Sequence, residues 1–315
     1  MILSILYIVA GIAAVLWGAD RFTDGAASVA QRFNVPQIVI GMTVVAFGTS
    51  LPEFCVSFAS ALKGAPDMAL GNVVGSNIFN ALLITGAAAA ITPIAVGRGT
   101  VSKDMTWALV SAIALAGVCL DGEASRLDSG LLLVLFMVFM AYTLRVARQG
   151  STEDRATVPL SITRSTIYVI VGLVALVIGS NVFVDGAADV ARRLGVSEAI
   201  VGLTVVAAGT GFPELATSIV AARKGHSGLA LGNVIGSNVF NSLMVIGLTG
   251  LVVPLQAAGI TRVDFTVLVG STLLLWAMSF TKYKIERWEG CVLMGIYAAY
   301  LGWLVCQTVC ANTVI

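Results

Sequence analysis

Hydrophobic residues along this chain gather into runs of about 20, the length an α-helix needs to cross the hydrocarbon core of a bilayer. Ten such runs are present, at residues 2–18, 37–62, 68–91, 105–120, 129–146, 165–184, 199–222, 229–253, 263–279 and 290–309. Short polar stretches separate them, and the longest, residues 148–164, is too short to fold as a soluble domain. The first run has no basic segment ahead of it and is read as a span, not as a cleaved leader. The pattern therefore predicts an all-α polytopic membrane protein of ten transmembrane helices.

The polar positions inside those runs repeat. Residues 41–53 read GMTVVAFGTSLPE and residues 202–214 read GLTVVAAGTGFPE, with nine of 13 positions identical at an offset of 161. GNVVGSNIFN at 71–80 and GNVIGSNVFN at 232–241 keep the same offset, as do the DGAA tetrapeptides that begin at Asp24 and Asp185. One unbroken offset across three blocks implies duplication of a whole half: residues 1–147 and 165–315, joined by a linker at 148–164. Five spans per half is an odd number, so the second half is expected to enter the membrane inverted relative to the first, a recurrent transporter design.

Composition sharpens this picture. Hydrophobic residues make up 58% of the 315 and charged residues only 11%, too few to solvate a soluble globule of this size. A net charge of +1 gives no footprint for nucleic acid. Thirteen of the 18 Lys and Arg residues fall in the connections after spans 1, 3, 5, 7 and 9. By the positive-inside rule the linker is expected in the cytoplasm and both termini outside the cell (inner) membrane. The five cysteines form no CxxC pair, and His226 is the single histidine, so no zinc site is indicated.

Glu53 and Glu214 fall inside spans 2 and 7, where a carboxylate is costly and marks a functional site by default. No Lys or Arg lies within spans 2, 3, 7 or 8 to neutralise them. Each follows a proline that cannot donate to the carbonyl four residues earlier, Gly48 for Pro52 and Gly209 for Pro213, so breaks are expected there. Asn72, Ser76 and Asn80 share one helical face of span 3, and Asn233, Ser237 and Asn241 repeat it in span 8. Thr49, Glu53 and Ser57, and Thr210, Glu214 and Ser218, form matching stripes in spans 2 and 7. Carboxylates, amides, hydroxyls and freed carbonyls are the oxygen donors that hard cations take. Hydrogen bonding between helices is the simpler role for Asn72 and Asn233.

At these residues the sequence resembles the sodium/calcium exchangers of the calcium/cation antiporter superfamily, whose alpha repeats carry paired GTS-type and GN-x-x-GSN-x-x-N motifs. The resemblance covers almost the whole chain. It implies two inverted five-helix repeats with helices 2, 3, 7 and 8 broken, and exchange of calcium for sodium by alternating access. It also implies that Glu53 and Glu214 are central calcium ligands, joined by the carbonyls of Thr49 and Thr210. Sodium ligands would come from Ala46, Thr49, Ser50, Glu53 and Ser76 in one half and from Ala207, Thr210, Glu214 and Ser237 in the other, with Asn80 and Asn241 at the centre. Gly211 departs from the family, which usually has Ser there, so Gly211→Ser is expected to raise sodium affinity. Asn241 resembles the potassium-independent members, and Gly75 and Gly236 argue against a proton-coupled branch that carries Glu there.

Calcium/proton antiport is the near alternative, because the same two glutamates can carry protons. A cation channel would expect a pore ring from several copies, and a membrane sensor a sizeable soluble module. No HExxH, GxSxG or P-loop motif points to an enzyme. The expected partners are calcium and sodium ions and the lipid bilayer, with no cofactor, no nucleic acid and no obligate protein partner.

Overall fold

The computed structural model describes residues 1–149, 159–194 and 207–313. Apolar runs become helices because a helix satisfies every backbone N–H and C=O within its own segment, as a bilayer requires. Helix α1 spans Ile2–Arg32. Helices α2 (Gln37–Thr49) and α3 (Leu51–Leu62) form one bent element with a 46° break at Ser50. Next come α4 (Pro66–Ile91), strand β1 (Ile94–Ala95), α5 (Thr100–Val118), β2 (Glu123–Ala124), α6 (Arg126–Arg148) and α7 (Ile162–Arg193). The remaining elements are α8 (Ala207–Thr210), α9 (Phe212–Arg223), α10 (Ser227–Val252), β3 (Leu255–Gln256), α11 (Arg262–Phe280), β4 (Lys284–Ile285) and α12 (Arg287–Thr313).

Among the described residues, eight helices are long and apolar enough to cross a membrane, and a ninth if the bent pair counts as one. The span expected at 199–222 lies partly outside the described residues; its described part is α8 and α9. Helices α1 and α7 run well past the ends expected at 18 and 184. Asp20, Arg21 and Asp24 end the apolar run, but no proline follows Gly18 before Asn34, whose φ is +53°, and Gly25 stays helical where it packs against α7. Charged side chains on that last stretch reach the interface while small residues continue the packed face.

The breaks expected in helices 2 and 7 sit at Ser50 and Gly211, one residue before each Leu/Phe-Pro-Glu turn. Helices 3 and 8 differ from expectation. Each is one continuous helix that passes through a π-helical turn, Asn80–Ile84 in α4 and Phe240–Val245 in α10. Neither segment carries a proline, so the backbone absorbs the strain as a widened turn, a feature frequent at functional sites.

The longest interface is α1 against α7. Glycines at 11, 18 and 25 on α1 and at 172, 179 and 186 on α7 recur every seven residues and bring the two backbones together. A Cβ at Gly18 would stand 2.8 Å from the carbonyl oxygen of Gly172, and one at Gly172 2.6 Å from the amide nitrogen of Phe22. Gly25 faces Ser165 and Gly186 faces Ser4, so the contacts exchange with each other when 161 is added or subtracted. The same exchange relates the antiparallel pairs Ile94 with Ile285 and Leu255 with Ala124 in two short ribbons that tie the halves together. Helices α4 and α10 are the most enclosed. The outer helices turn Leu6, Trp17, Met137, Ile167 and Ile178 outward, the surface a lipid-facing helix presents.

Candidate functional site

Four elements converge at the centre. The α2/α3 break delivers Thr49, Ser50 and Glu53, and the α8/α9 break delivers Thr210 and Glu214. Pro52 and Pro213 stand in the first turns of α3 and α9, where a missing N–H costs nothing, and each following glutamate lies at a helix N-terminus, where a negative charge is favoured. Glycines allow the close approach: a Cβ at Gly236 of α10 would stand 2.6 Å from Cα of Met42 and from Cβ of Ala46.

Both carboxylates are buried, at 1% exposure each. Among the described residues neither has a Lys or Arg partner. Among the described residues, Oε2 of Glu53 and Oε2 of Glu214 lack hydrogen-bond donors. Ser50 donates to Oε1 of Glu214 at 3.1 Å, and Thr210 stands beside Glu53. The sequence grouped Ser50 with Glu53 of its own half; the fold hands its hydroxyl to the acid of the other half.

Asn72 donates to the Glu53 carbonyl at 3.3 Å and to Ser57 Oγ at 3.0 Å. Asn233 repeats this with the Glu214 carbonyl at 3.3 Å and Ser218 Oγ at 3.0 Å. These two asparagines fasten helices together, the simpler of the roles open to them. Asn233 Oδ1 also accepts from Thr49 Oγ1 at 3.0 Å, and that hydroxyl lies 3.1 Å from the Val45 carbonyl.

Ser76, Asn80, Ser237 and Asn241 are buried on the helices that face the breaks. Among the described residues, Ser237 Oγ and both amide atoms of Asn241 have no hydrogen-bond partner. Asn80 is engaged differently, donating to Asn238 Oδ1 at 3.1 Å. The Ala46 carbonyl accepts from the Ser50 N–H at 2.9 Å and, at 3.5 Å, from the Thr49 hydroxyl, which it shares with the Val45 carbonyl. Ala207 opens α8, and its side chain lies outside the described residues.

Three positions escaped the sequence reading. Asn77 and Asn238 clasp each other, each amide donating to the other's carbonyl at 3.3 Å, and Asn77 also donates to Ser242 at 2.7 Å. Their signal was present, since both lie in the repeated GSN triplet, but they fall off the four-residue stripe. Ser180 of α7 donates at 2.5 Å to the Gly209 carbonyl, the one freed by Pro213. Ala19 occupies the matching place for Gly48, so only one of the two freed carbonyls has such a donor at that position.

The geometry sets a steric obstacle before Gly211→Ser. A Cβ at Gly211 would meet ring carbons of Phe79 at 2.8 and 2.9 Å, tighter than real contacts allow. The ring of Phe79 fills the space the missing side chain leaves, edge-on to Tyr297 at 5.5 Å.

Two partnerless carboxylate oxygens, a bare hydroxyl and an unengaged amide, all buried, carry a large desolvation cost that a bound cation or protons would relieve. Comparison with known proteins meets this geometry. A model of the sodium/calcium exchanger protein family matches residues 3–145 and again 164–306, a second match displaced by the same 161 residues. Inner membrane protein YrbG of Escherichia coli is 32% identical, over 96% of this chain and 98% of its own length. Sodium/calcium exchanger MaX1 of Methanosarcina acetivorans is 31% identical, over 95% and 97%. Structures of the sodium-calcium exchanger NCX_Mj superpose with a TM-score of 0.85 at 35% identity, covering 96% of this chain and 98% of that one. With a doubled family match, near-full-length relatives and acids at the two helix breaks, this multi-pass membrane protein belongs to the sodium/calcium exchanger family.

Proposed function

We propose that this family member is a secondary active antiporter, not an enzyme, that exchanges calcium for sodium by alternating access. Its frame is ten transmembrane helices in two inverted five-helix repeats, residues 1–147 and 165–315, joined by a cytoplasmic linker at 148–164. Both termini face outward from the cell membrane. The observation that carries the reading is the pair of buried glutamates, Glu53 and Glu214, each with an oxygen that no group among the described residues satisfies. The contacts that exchange under the 161-residue offset support the inverted arrangement.

In this reading Glu53 and Glu214 bind calcium together with the carbonyls of Thr49 and Thr210. Sodium draws on Ala46, Thr49, Ser50, Glu53 and Ser76 in one half and on Ala207, Thr210, Glu214 and Ser237 in the other, and Asn80 and Asn241 stand at the centre. The formal charge of −2 balances one calcium ion, two sodium ions or two protons. Sodium is favoured as driver because Ser237 and Asn241 offer neutral oxygens that a proton carrier does not need. Proton coupling is the second reading, favoured by Gly211 and Phe79, which leave the second half one hydroxyl short.

Uptake of calcium-45 into proteoliposomes, under an imposed sodium gradient or an imposed pH gradient, separates the two. The expected result is uptake driven by sodium at constant pH. Uptake driven by the pH gradient alone, with no response to sodium, overturns sodium coupling.

A further inference from the structure

Lysines stand at equivalent places in the two halves, Lys63 after α3 and Lys224 after α9, 161 residues apart. Aspartates do the same on the glycine-seamed pair, Asp24 on α1 and Asp185 on α7. The duplication thus preserved a cation at the end of each glutamate-bearing helix and an anion on the long helix opposite.

Only one of the two couples is formed. Lys224 Nζ lies 2.6 Å from Oδ1 of Asp20 and 2.7 Å from Oδ1 of Asp24, and it donates to the Asp20 carbonyl at 3.2 Å. Helix α1 packs along α9 at this face. Lys63 and Asp185 are both exposed and, among the described residues, form no ion pair, and α7 has no comparable packing on α3. A lysine at a helix C-terminus is favoured by the helix dipole alone, so its presence needs no other cause. Bridging three oxygens of a different helix is more than that role requires.

We propose that Lys224 and Lys63 are alternating gate residues. The Lys224–Asp20–Asp24 cluster holds α1 on α9 and shuts one face of the exchanger while the Lys63–Asp185 couple is parted. When the other face shuts, Lys63 meets Asp185 and Lys224 releases α1. The two latches are unequal, because the position matching Asp20 is Asn181. The Lys224 latch has two carboxylates against one, which biases the resting protein toward the state seen here. By the distribution of Lys and Arg, the Lys224 face is the cytoplasmic one; the Leu160 end of the linker reaches α1 on the same side, where its carbonyl accepts from Arg32 at 3.2 Å. The inference rests on the inverted-repeat, alternating-access reading above, but not on which ions are carried.

The test is disulfide formation between Lys63→Cys and Asp185→Cys, in a full-length chain whose five native cysteines are replaced by serine. The pair crosslinks only when that face closes. Adding Lys224→Gln, or Asp20→Asn with Asp24→Asn, is expected to raise the crosslinked-to-open ratio about two- to five-fold, the range for partly exposed ion pairs. Exchanging the charges, Lys224→Asp with Asp24→Lys, is expected to return the ratio toward its starting value. A ratio indifferent to Lys224→Gln, no rescue by the exchange, or no crosslink in any background overturns the latch. Calcium-45 uptake by the unaltered protein is measured alongside. Absent uptake with a responsive crosslink overturns the ion assignment and supports the latch; normal uptake with an unresponsive crosslink overturns the latch alone.

Discussion

The Ser50 hydroxyl donates to Oε1 of Glu214 across 3.1 Å, although the two residues are 164 positions apart in the chain. The acid of one repeat is therefore held by a side chain of the other, and Gly211, the counterpart of Ser50, returns no such bond to Glu53. The two breaks are therefore not equivalent: Ser50 reaches the acid of the other repeat, while the place its counterpart would fill beside Gly211 is taken by the Phe79 ring.

Ser50→Ala removes that bond while leaving both carboxylates in place. Sodium affinity is expected to fall several-fold, the equivalent of ~1 kcal/mol, with calcium transport retained at saturating sodium. Sodium titration of calcium-45 efflux measures it, and an unchanged half-saturation point would remove Ser50 from the sodium path.

Glu53→Gln and Glu214→Gln each delete one negative charge at nearly constant volume. Each is expected to abolish calcium transport while the protein still inserts and elutes as a single species in detergent. Near-normal flux in either variant would exclude that glutamate from the ion site.

Gly211→Ser is expected to destabilise, by ~1–3 kcal/mol, because its Cβ enters the Phe79 ring and overpacks a closed region. Combining it with Phe79→Leu should relieve the clash and restore thermal stability. Only in that double variant is a gain in sodium affinity expected. A stable single variant would show that the ring moves aside freely.

Gly172→Ala tests the seam between α1 and α7. Its new methyl group would stand 2.6 Å from the backbone nitrogen of Phe22, so the helices must separate, and a loss of ~1–3 kcal/mol is expected. Gly117→Ala on α5 is the control: nothing lies within 4 Å of its Cβ position, and alanine there should stabilise by ~0.4–1 kcal/mol. Thermal unfolding in detergent compares the two, and equal effects would argue against a close backbone seam.

Topology is tested by reporter fusions after Ile315 and within residues 148–164. Opposite locations are expected, the former outside and the latter cytoplasmic. A shared location would break the inverted ten-helix arrangement.

Much of this protein was legible in one dimension. Span positions follow from apolar run length, because a bilayer sets a fixed thickness and forces helices. The duplication is visible because every functional block kept one offset, and Glu53 and Glu214 stand out because charge at membrane depth is costly. Tertiary structure decided what periodicity cannot carry. The π-helical turns at Asn80 and Phe240 replace the expected breaks because no proline forces a rupture there. Asn77 and Asn238 become a clasp because two helices cross at that level. Ser50 serves Glu214, not Glu53, because the helix break at Ser50 redirects its hydroxyl across the repeat interface. Phe79 closes on Gly211 because a glycine leaves a void and close packing fills it. Sequence spacing fixes which residues share a face of one helix; which faces meet, and at what distance, is set by the packing of the two halves on each other.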